Sequence, residues 1–206
     1  MITDELLAKY PILTDQVDRA ELRVILLELE KLLQKGMDGA IVEFGCYAGT
    51  TSLFIRRLLN AYKSDAPYHV YDSFVGLPPK TQADESRAGE QFVTGALAVS
   101  KKDFLLNFRK SNLSPPFVHK AWFSDISQDD VPQNISFAFL DGDYFESIRD
   151  SLRLITPCLV NGAVIVVDDY ANEALPGAAR ATDSWLQQHE HRYRVQASLC
   201  IIAVTR

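Results

Sequence analysis

A turn with two glycines follows the first short apolar run of this 206-residue chain. Residues 43–52 have the sequence EFGCYAGTTS, so Gly45 and Gly49 lie four residues apart and Glu43 precedes both. Glycines allow a tight turn and a close approach of backbone to ligand, and the helix predicted next offers unpaired N–H groups. The dinucleotide pattern G-x-G-x-x-G is absent and an acid precedes the turn. The pattern therefore favours a ligand with an ammonium and a carboxylate over a pyrophosphate; a turn with no ligand is the alternative.

Acids also end three later apolar runs of the chain. These acids are Asp72, Asp141 and Asp168. In an open α/β sheet, ligands bind outside the carboxyl ends of the strands, so these aspartates and Glu43 are predicted to share one site. Asp72 is suited to accept hydrogen bonds from both hydroxyls of a ribose; an N-cap for the following segment is the alternative.

Asp168 and Asp169 are adjacent and follow five apolar residues. Two neighbouring carboxylates repel each other, so a bound cation explains the pair better than a solvated strand end does. Cys46 lies in the glycine turn, but the sequence shows no histidine partner that would make it a nucleophile.

Segments with helical and strand periodicity alternate along the chain, which predicts an α/β fold with a largely parallel sheet. Helices are predicted over residues 14–35, 50–62, 100–111 and 144–159, and strands over residues 40–42, 68–71, 116–122, 135–140 and 163–167. Residues 193–197 and 200–204 are predicted to close the sheet as an antiparallel pair.

Residues 73–100 interrupt this alternation. They contain Pro78, Pro79 and three glycines, and they show little periodicity. Because connections this long in a compact domain are commonly functional or disordered, we predict a lid over the site. A mobile surface insertion is the alternative.

The length predicts one domain over residues 1–206, with residues 1–36 as its N-terminal helical part. A net charge of −6 argues against nucleic-acid binding, since an acidic surface repels phosphates. Three cysteines without CxxC spacing indicate reduced thiols, and we expect a cytoplasmic protein with no signal peptide, no membrane span and no membrane partner.

Taken together, the motifs resemble the S-adenosylmethionine site of class I methyltransferases. Residues 43–47 with Gly49 are similar to the corresponding turn of catechol O-methyltransferases. Four further segments resemble the macrocin O-methyltransferase family of sugar O-methyltransferases, and they occur in family order: YDSFVGLP (71–78), WFSD (122–125), FLDGDYFES (139–147) and VDDY (167–170). The chain departs from that family at residues 47–50, where Trp-Arg-Gly-Gly is usual, and in its shorter N-terminus.

The resemblance implies a Rossmann-like class I methyltransferase fold, with a mostly parallel central sheet, a C-terminal antiparallel strand pair and helices on both faces. It implies that Glu43 and Gly45 hold the methionine end of S-adenosylmethionine, and that Asp72 binds its ribose. Residues 122–124 would border the adenine. The full set of implied cofactor-binding residues is Glu43, Gly45, Tyr47, Gly49, Thr51, Asp72, Ser73, Trp122, Phe123, Ser124 and Asp141.

The resemblance also implies a divalent metal, since carboxylate oxygens with waters suit Mg²⁺. Its ligands would be Asp141, Asp168 and Asp169, and either Asp141 or Asp143 would be the catalytic base. We therefore predict a metal-dependent O-methyltransferase whose partner is a small-molecule hydroxyl acceptor, a vicinal diol on a sugar or a phenol. A non-methylating metal enzyme and a catalytically silent cofactor-binding protein are the alternatives, and a homo-oligomer stays open.

Overall fold

The structure, a computed structural model, describes residues 1–205. Seven strands lie in that range: β1 (Ala40–Phe44), β2 (Tyr68–Asp72), β3 (Phe117–Lys120), β4 (Ile135–Leu140), β5 (Leu159–Val167), β6 (Arg192–Gln196) and β7 (Leu199–Ala203). The α-helices in the same range are α1 (Ile2–Lys9), α2 (Arg19–Gln34), α3 (Thr50–Ala61), α4 (Lys101–Lys110), α5 (Phe145–Ile155) and α6 (Pro176–Leu186).

All seven strands form one sheet, in the order β3-β2-β1-β4-β5-β7-β6. The pairs from β3 to β5 are parallel, and β7 runs antiparallel to both β5 and β6. This confirms the predicted sheet with its C-terminal antiparallel pair. The direction of winding reverses between β1 and β4, and in such sheets this reversal opens a crevice at the carboxyl ends of the strands.

Successive residues of the central strands pack into two separate cores. Ile41 of β1 and Phe137 of β4 belong to a core built with α1, α2, α3 and α4. Their neighbours Val42 and Ala138 belong to a second core, built with α5 and α6. Because adjacent side chains on a strand point to opposite faces, the sheet is covered by helices on both sides, as predicted.

One helix was not predicted, and one begins later than predicted. α6 lies outside the predicted helices, and α2 starts at Arg19 rather than near residue 14. α1 lies within the predicted N-terminal helical part, although its bounds were not predicted. The start of α2 is fixed by a capping box, in which the Asp18 carboxylate accepts from the Glu21 N–H and the Glu21 carboxylate accepts from the Asp18 N–H. No helix within residues 1–205 combines the length and the apolar character needed to cross a membrane.

Candidate active site

A cleft of about 380 Å³ opens at the carboxyl edge of the sheet. Nine of the predicted site residues line it: Gly45, Tyr47, Asp72, Ser73, Trp122, Phe123, Asp141, Asp143 and Asp169. The remaining predicted residues, Glu43, Gly49, Thr51, Ser124 and Asp168, are not among its lining residues. The topology thus gathers loops from β1, β2, β4 and β5 around a single cavity.

Gly45 allows the turn after β1 to lie directly against the end of β4. Its φ is +87°, and a Cβ atom built there would lie 1.9 Å from the Asp141 carbonyl oxygen. The Gly45 N–H donates to the Tyr71 carbonyl at 2.9 Å. A side chain at this position would be both strained and excluded by the neighbouring backbone.

Asp72 joins the glycine turn to the segment that follows β2. One carboxylate oxygen accepts from the Cys46 N–H at 2.8 Å, and the other accepts from the Phe74 N–H at 2.7 Å. The second contact is a local turn bond from residue i+2. No helix begins between Asp72 and the 3₁₀ turn at Gln82–Asp84, so the N-cap alternative is not realised. Since Asp72 also lines the cleft, and each carboxylate oxygen can accept a further bond, it has access to a ligand.

Glu43 lies beneath the turn and does not reach the cleft. It is 1% exposed, and its carboxylate accepts hydrogen bonds from the hydroxyls of Ser52, at 2.8 Å, and Tyr68. Burial raises the pKa of Glu43 to about 7, against the effect of these two donors. The carboxylate therefore ties β1 to α3 and β2, which differs from the implied role of holding the methionine end directly.

Three other predicted cofactor residues, Gly49, Thr51 and Ser124, lie outside the cleft. Gly49 has a φ of +88°, and a Cβ atom there would lie 2.8 Å from the Phe104 ring, so this glycine makes room for α4. Thr51 is buried within α3. Ser124 is exposed, and its hydroxyl donates to the Asp125 carboxylate at 3.1 Å.

Trp122 and Phe123 form an aromatic wall of the cleft. Phe123 meets Phe44 edge to face, with ring centroids 5.3 Å apart, and Phe44 in turn stacks on Tyr71. Trp122 is 38% exposed and lines the same cavity. Phe123, held by its contact with Phe44, and the partly exposed Trp122 together offer an aromatic surface for a flat heterocycle.

Three carboxylates converge just after the ends of β4 and β5. Asp141, Asp143 and Asp169 each place one oxygen within 4.8 Å of the others. Asp168 is not part of this group; one of its carboxylate oxygens accepts from the Asp169 N–H at 2.9 Å and lies 3.4 Å from the Ser198 hydroxyl. The set brought together thus differs from the predicted metal ligands in one member, with Asp143 in place of Asp168.

The crowding of these acids alters their protonation. Burial raises the pKa values of Asp141 and Asp143 well above the usual range, and nearby Asp168 and Asp169, respectively, raise them further. The pKa of Asp169 is raised as well, again mainly by burial. A divalent cation would relieve the repulsion among these carboxylates, and three oxygen donors are a ligand set that Mg²⁺ accepts.

The cleft includes residues that the sequence argument did not single out. Its further polar lining residues are Asp15, Gln16, Glu21, Ser147 and Asn172. Glu21 accepts a hydrogen bond from the Ser198 hydroxyl and raises the pKa of Asp169, so it lies at the acidic end of the cleft. The sequence could have pointed to Glu21 through its spacing of three residues from Asp18, which is that of a capping box. This capping box fixes the start of α2 and therefore the position of Glu21.

Residues 73–100 lie over the cleft. They contribute Gly76, Leu77, Pro78, Phe92 and Leu97 to its lining and contain two short 3₁₀ turns, at Gln82–Asp84 and Arg87–Gly89. This is the place that a lid requires. Its movement with ligand binding stays a prediction.

Comparison with known proteins adds an independent line of evidence. The family model described as Macrocin-O-methyltransferase (TylF) matches residues 14–202. The chain is 34% identical over 155 residues to the 8-demethyl-8-(2,3-dimethoxy-alpha-L-rhamnosyl)-tetracenomycin-C 4'-O-methyltransferase of Streptomyces olivaceus, an alignment that covers 71% of this chain and 58% of that protein. It is 29% identical over 150 residues to the demethyldecarbamoylnovobiocin O-methyltransferase of Streptomyces niveus, covering 69% of this chain and 56% of that protein.

Among solved structures, the O-methyltransferase NovP superposes with a TM-score of 0.77 at 25% identity, covering 90% of this chain and 79% of that one. The chain spans less than three fifths of the length of the two curated relatives.

Proposed function

Because this chain belongs to the macrocin-O-methyltransferase family, we propose that it transfers the methyl group of S-adenosylmethionine to a hydroxyl of a small molecule. The observation that carries the proposal is the meeting of three features in one cleft: the Gly45 turn, the Asp72 carboxylate and the acid group at the end of β4. The cleft therefore has groups suited to bind S-adenosylmethionine, which carries both positive and negative charge, and groups suited to bind a hydroxyl acceptor.

We assign the half of the cleft that binds the cofactor to the carboxyl ends of β1 and β2. Asp72 would accept hydrogen bonds from the ribose hydroxyls, and the Gly45 turn would contact the methionine portion. Trp122 and Phe123 supply the surface for the adenine.

We assign the half of the cleft that binds the methyl acceptor to the cluster of three carboxylates. Asp141, Asp143 and Asp169 would hold a divalent cation, for which Mg²⁺ is our choice since all three donors are oxygens. Bound there, the ion would lower the pKa of the acceptor hydroxyl and orient it. Glu21 and Asn172 also line this end of the cleft, where they can accept or donate hydrogen bonds to a polyhydroxylated acceptor.

We propose a vicinal diol as the acceptor, carried by a sugar or a phenol. Mg²⁺ prefers six oxygens, so three from the protein leave positions for two adjacent hydroxyls. The name of the Streptomyces olivaceus relative describes 4'-O-methylation of a compound with a 2,3-dimethoxyrhamnosyl group, which supports a sugar as the acceptor but not two free adjacent hydroxyls.

The transfer step needs alignment and removal of one proton. The acceptor oxygen attacks the methyl carbon in line as the carbon–sulfur bond breaks, and S-adenosylhomocysteine leaves. Asp141 or Asp143 would take the hydroxyl proton. Residues 73–100 would keep water away from the sulfonium.

Two measurements test this function. Isothermal titration calorimetry should show binding of S-adenosylmethionine and S-adenosylhomocysteine to the purified protein. Transfer of a labelled methyl group to rhamnosides and catechols should stop in excess EDTA and return with Mg²⁺. Full transfer in excess chelator would contradict the metal-assisted mechanism and leave the cofactor assignment standing.

A further inference from the structure

A buried carboxylate connects the covering segment to the loop that carries Asp143. Asp84 is 1% exposed and lies in the middle of residues 73–100. One of its oxygens accepts from the Phe145 N–H at 2.7 Å. The other accepts from the N–H and the hydroxyl of Thr81, at 2.9 and 2.7 Å. Phe145 is the first residue of α5 and comes two residues after Asp143, so the bond crosses between the two segments at the edge of the cleft.

Gly177 of α6 leaves room for this contact. A Cβ atom at position 177 would lie 1.9 Å from the Asp84 carboxylate oxygen and 2.5 Å from the Phe145 nitrogen. Its backbone does not require glycine, because it lies within a regular helix. The absence of a side chain at Gly177 is therefore explained by the approach of Asp84 to Phe145.

A second contact joins the same two segments. Tyr144 is fully buried, and its hydroxyl donates to the Phe92 carbonyl at 3.0 Å. The residue before it, Asp143, has a φ of +59°. Because this left-handed conformation is unfavourable for a residue with a side chain, neighbouring contacts must hold it. Two of those on its C-terminal side, to Tyr144 and to Phe145, come from residues 73–100.

We propose that Asp84 is a positioning residue for Asp143. Through the Phe145 N–H it fixes the start of α5, and so it holds the Asp143 carboxylate beside Asp141 and Asp169. The three carboxylates then converge only while residues 73–100 are packed against the start of α5. This segment therefore positions the acidic end of the cleft as well as covering it. The inference rests on the proposed function, in which these three carboxylates hold the metal.

The test compares four variants of the full chain with the wild type. Asp84→Ala removes the contact, Asp84→Asn keeps one acceptor oxygen but turns an amide NH₂ toward a donor, and Gly177→Ala displaces the carboxylate from the opposite side. Glu85→Ala is the matched control, because Glu85 is the adjacent acid and is exposed. The readouts are Mn²⁺ binding by electron paramagnetic resonance, S-adenosylhomocysteine binding by calorimetry, amide hydrogen exchange, and kcat and KM.

We expect Asp84→Ala and Gly177→Ala to weaken Mn²⁺ binding and lower kcat by about 10- to 100-fold, the range for residues that orient metal ligands. The Phe145 amide should exchange faster, and the affinity for S-adenosylhomocysteine should change little. Asp84→Asn should fall between Asp84→Ala and the wild type, and Glu85→Ala should match the wild type.

Mn²⁺ affinity and kcat at wild-type levels in folded Asp84→Ala would overturn the proposal. If that variant does not fold, the same result in Asp84→Asn and Gly177→Ala would overturn it. Wild-type protein that binds neither S-adenosylhomocysteine nor Mn²⁺ would contradict the proposed function itself, which separates the two failures.

Discussion

Gly45 and Asp141 are in closer contact than any side chain at position 45 would allow. A Cβ atom on Gly45 would lie 1.9 Å from the Asp141 carbonyl oxygen, and the Asp141 N–H donates to the Phe44 carbonyl at 2.8 Å. The glycine turn and the first acid of the cleft are therefore positioned together. A displacement of one backbone displaces the other.

We predict that Gly45→Ala lowers the free energy of unfolding by about 2–3 kcal/mol, since it adds a backbone clash to an unfavourable φ. Affinity for S-adenosylhomocysteine should fall as well, because the turn must shift. Urea denaturation and calorimetry measure the two effects. Gly36→Ala is the control: Gly36 has a φ of +64° with no atom near its Cβ position, so it should lose only about 1 kcal/mol. Equal losses in the two variants would contradict the clash.

We predict that Asp72→Ala weakens the binding of S-adenosylmethionine and S-adenosylhomocysteine by about 1.5–3 kcal/mol, the range for hydrogen bonds to a charged group. Part of this loss comes from the N–H groups of Cys46 and Phe74, which lose their acceptor. Thermal denaturation reports that structural part separately. Calorimetry that shows unchanged affinity would remove Asp72 from the cofactor site.

The parts of the fold that could be predicted from sequence have strong local patterns. β4 begins and ends at the predicted residues, 135 and 140, because an apolar run stops there at an acid. α6 was missed since the buried residues on its inner face include small ones, Ala178 and Ala181, beside Trp185. Such a face has no wide apolar stripe.

The sequence predicts which strand ends form the site, but it does not predict where each side chain points. The order of acids along the chain indicates which loops meet, as the cleft around Asp72 and Asp141 illustrates. Side-chain direction depends on contacts between distant residues. Asp84 holds Phe145 from 61 positions away, and Ser198 lies beside Asp168 from 30 positions away. No local pattern distinguishes Asp143 from Asp168 as a member of the carboxylate group.

That distinction yields a prediction about the metal. Asp143→Asn should weaken Mn²⁺ binding by at least the roughly 10- to 100-fold expected for a residue that only orients a ligand, because it removes a carboxylate from the group that converges. Asp168→Asn should have a smaller effect on Mn²⁺, since its carboxylate is directed to the Asp169 N–H and Ser198. Paramagnetic resonance titrations of both variants measure the difference. The reverse order would restore Asp168 as the ligand that the family resemblance implies.

The last prediction concerns Glu43 and pH. Its folded-state pKa of about 7 is above the ordinary value of 4.5, so the folded protein holds this proton more tightly than the unfolded chain does. The resulting stabilisation is fully present below pH 4.5 and is lost as pH rises through 7. Glu43→Gln carries no titrating group and can still accept from Ser52 and Tyr68. Between pH 4.5 and 8, the free energy of unfolding of the variant should therefore rise relative to wild type by about 2–3 kcal/mol.

Urea denaturation at several pH values measures this difference. His69 titrates in the opposite sense, because its folded-state pKa of about 4 removes stability as pH falls from 6.5 toward 4, but both proteins contain it and its effect cancels. Glu85→Gln, at an exposed glutamate, is the matched control for the substitution itself. A pH-independent difference between Glu43→Gln and wild type would mean that the Glu43 carboxylate is ionised in the folded protein. The hydrogen bonds from Ser52 and Tyr68 would then outweigh the effect of burial on its pKa.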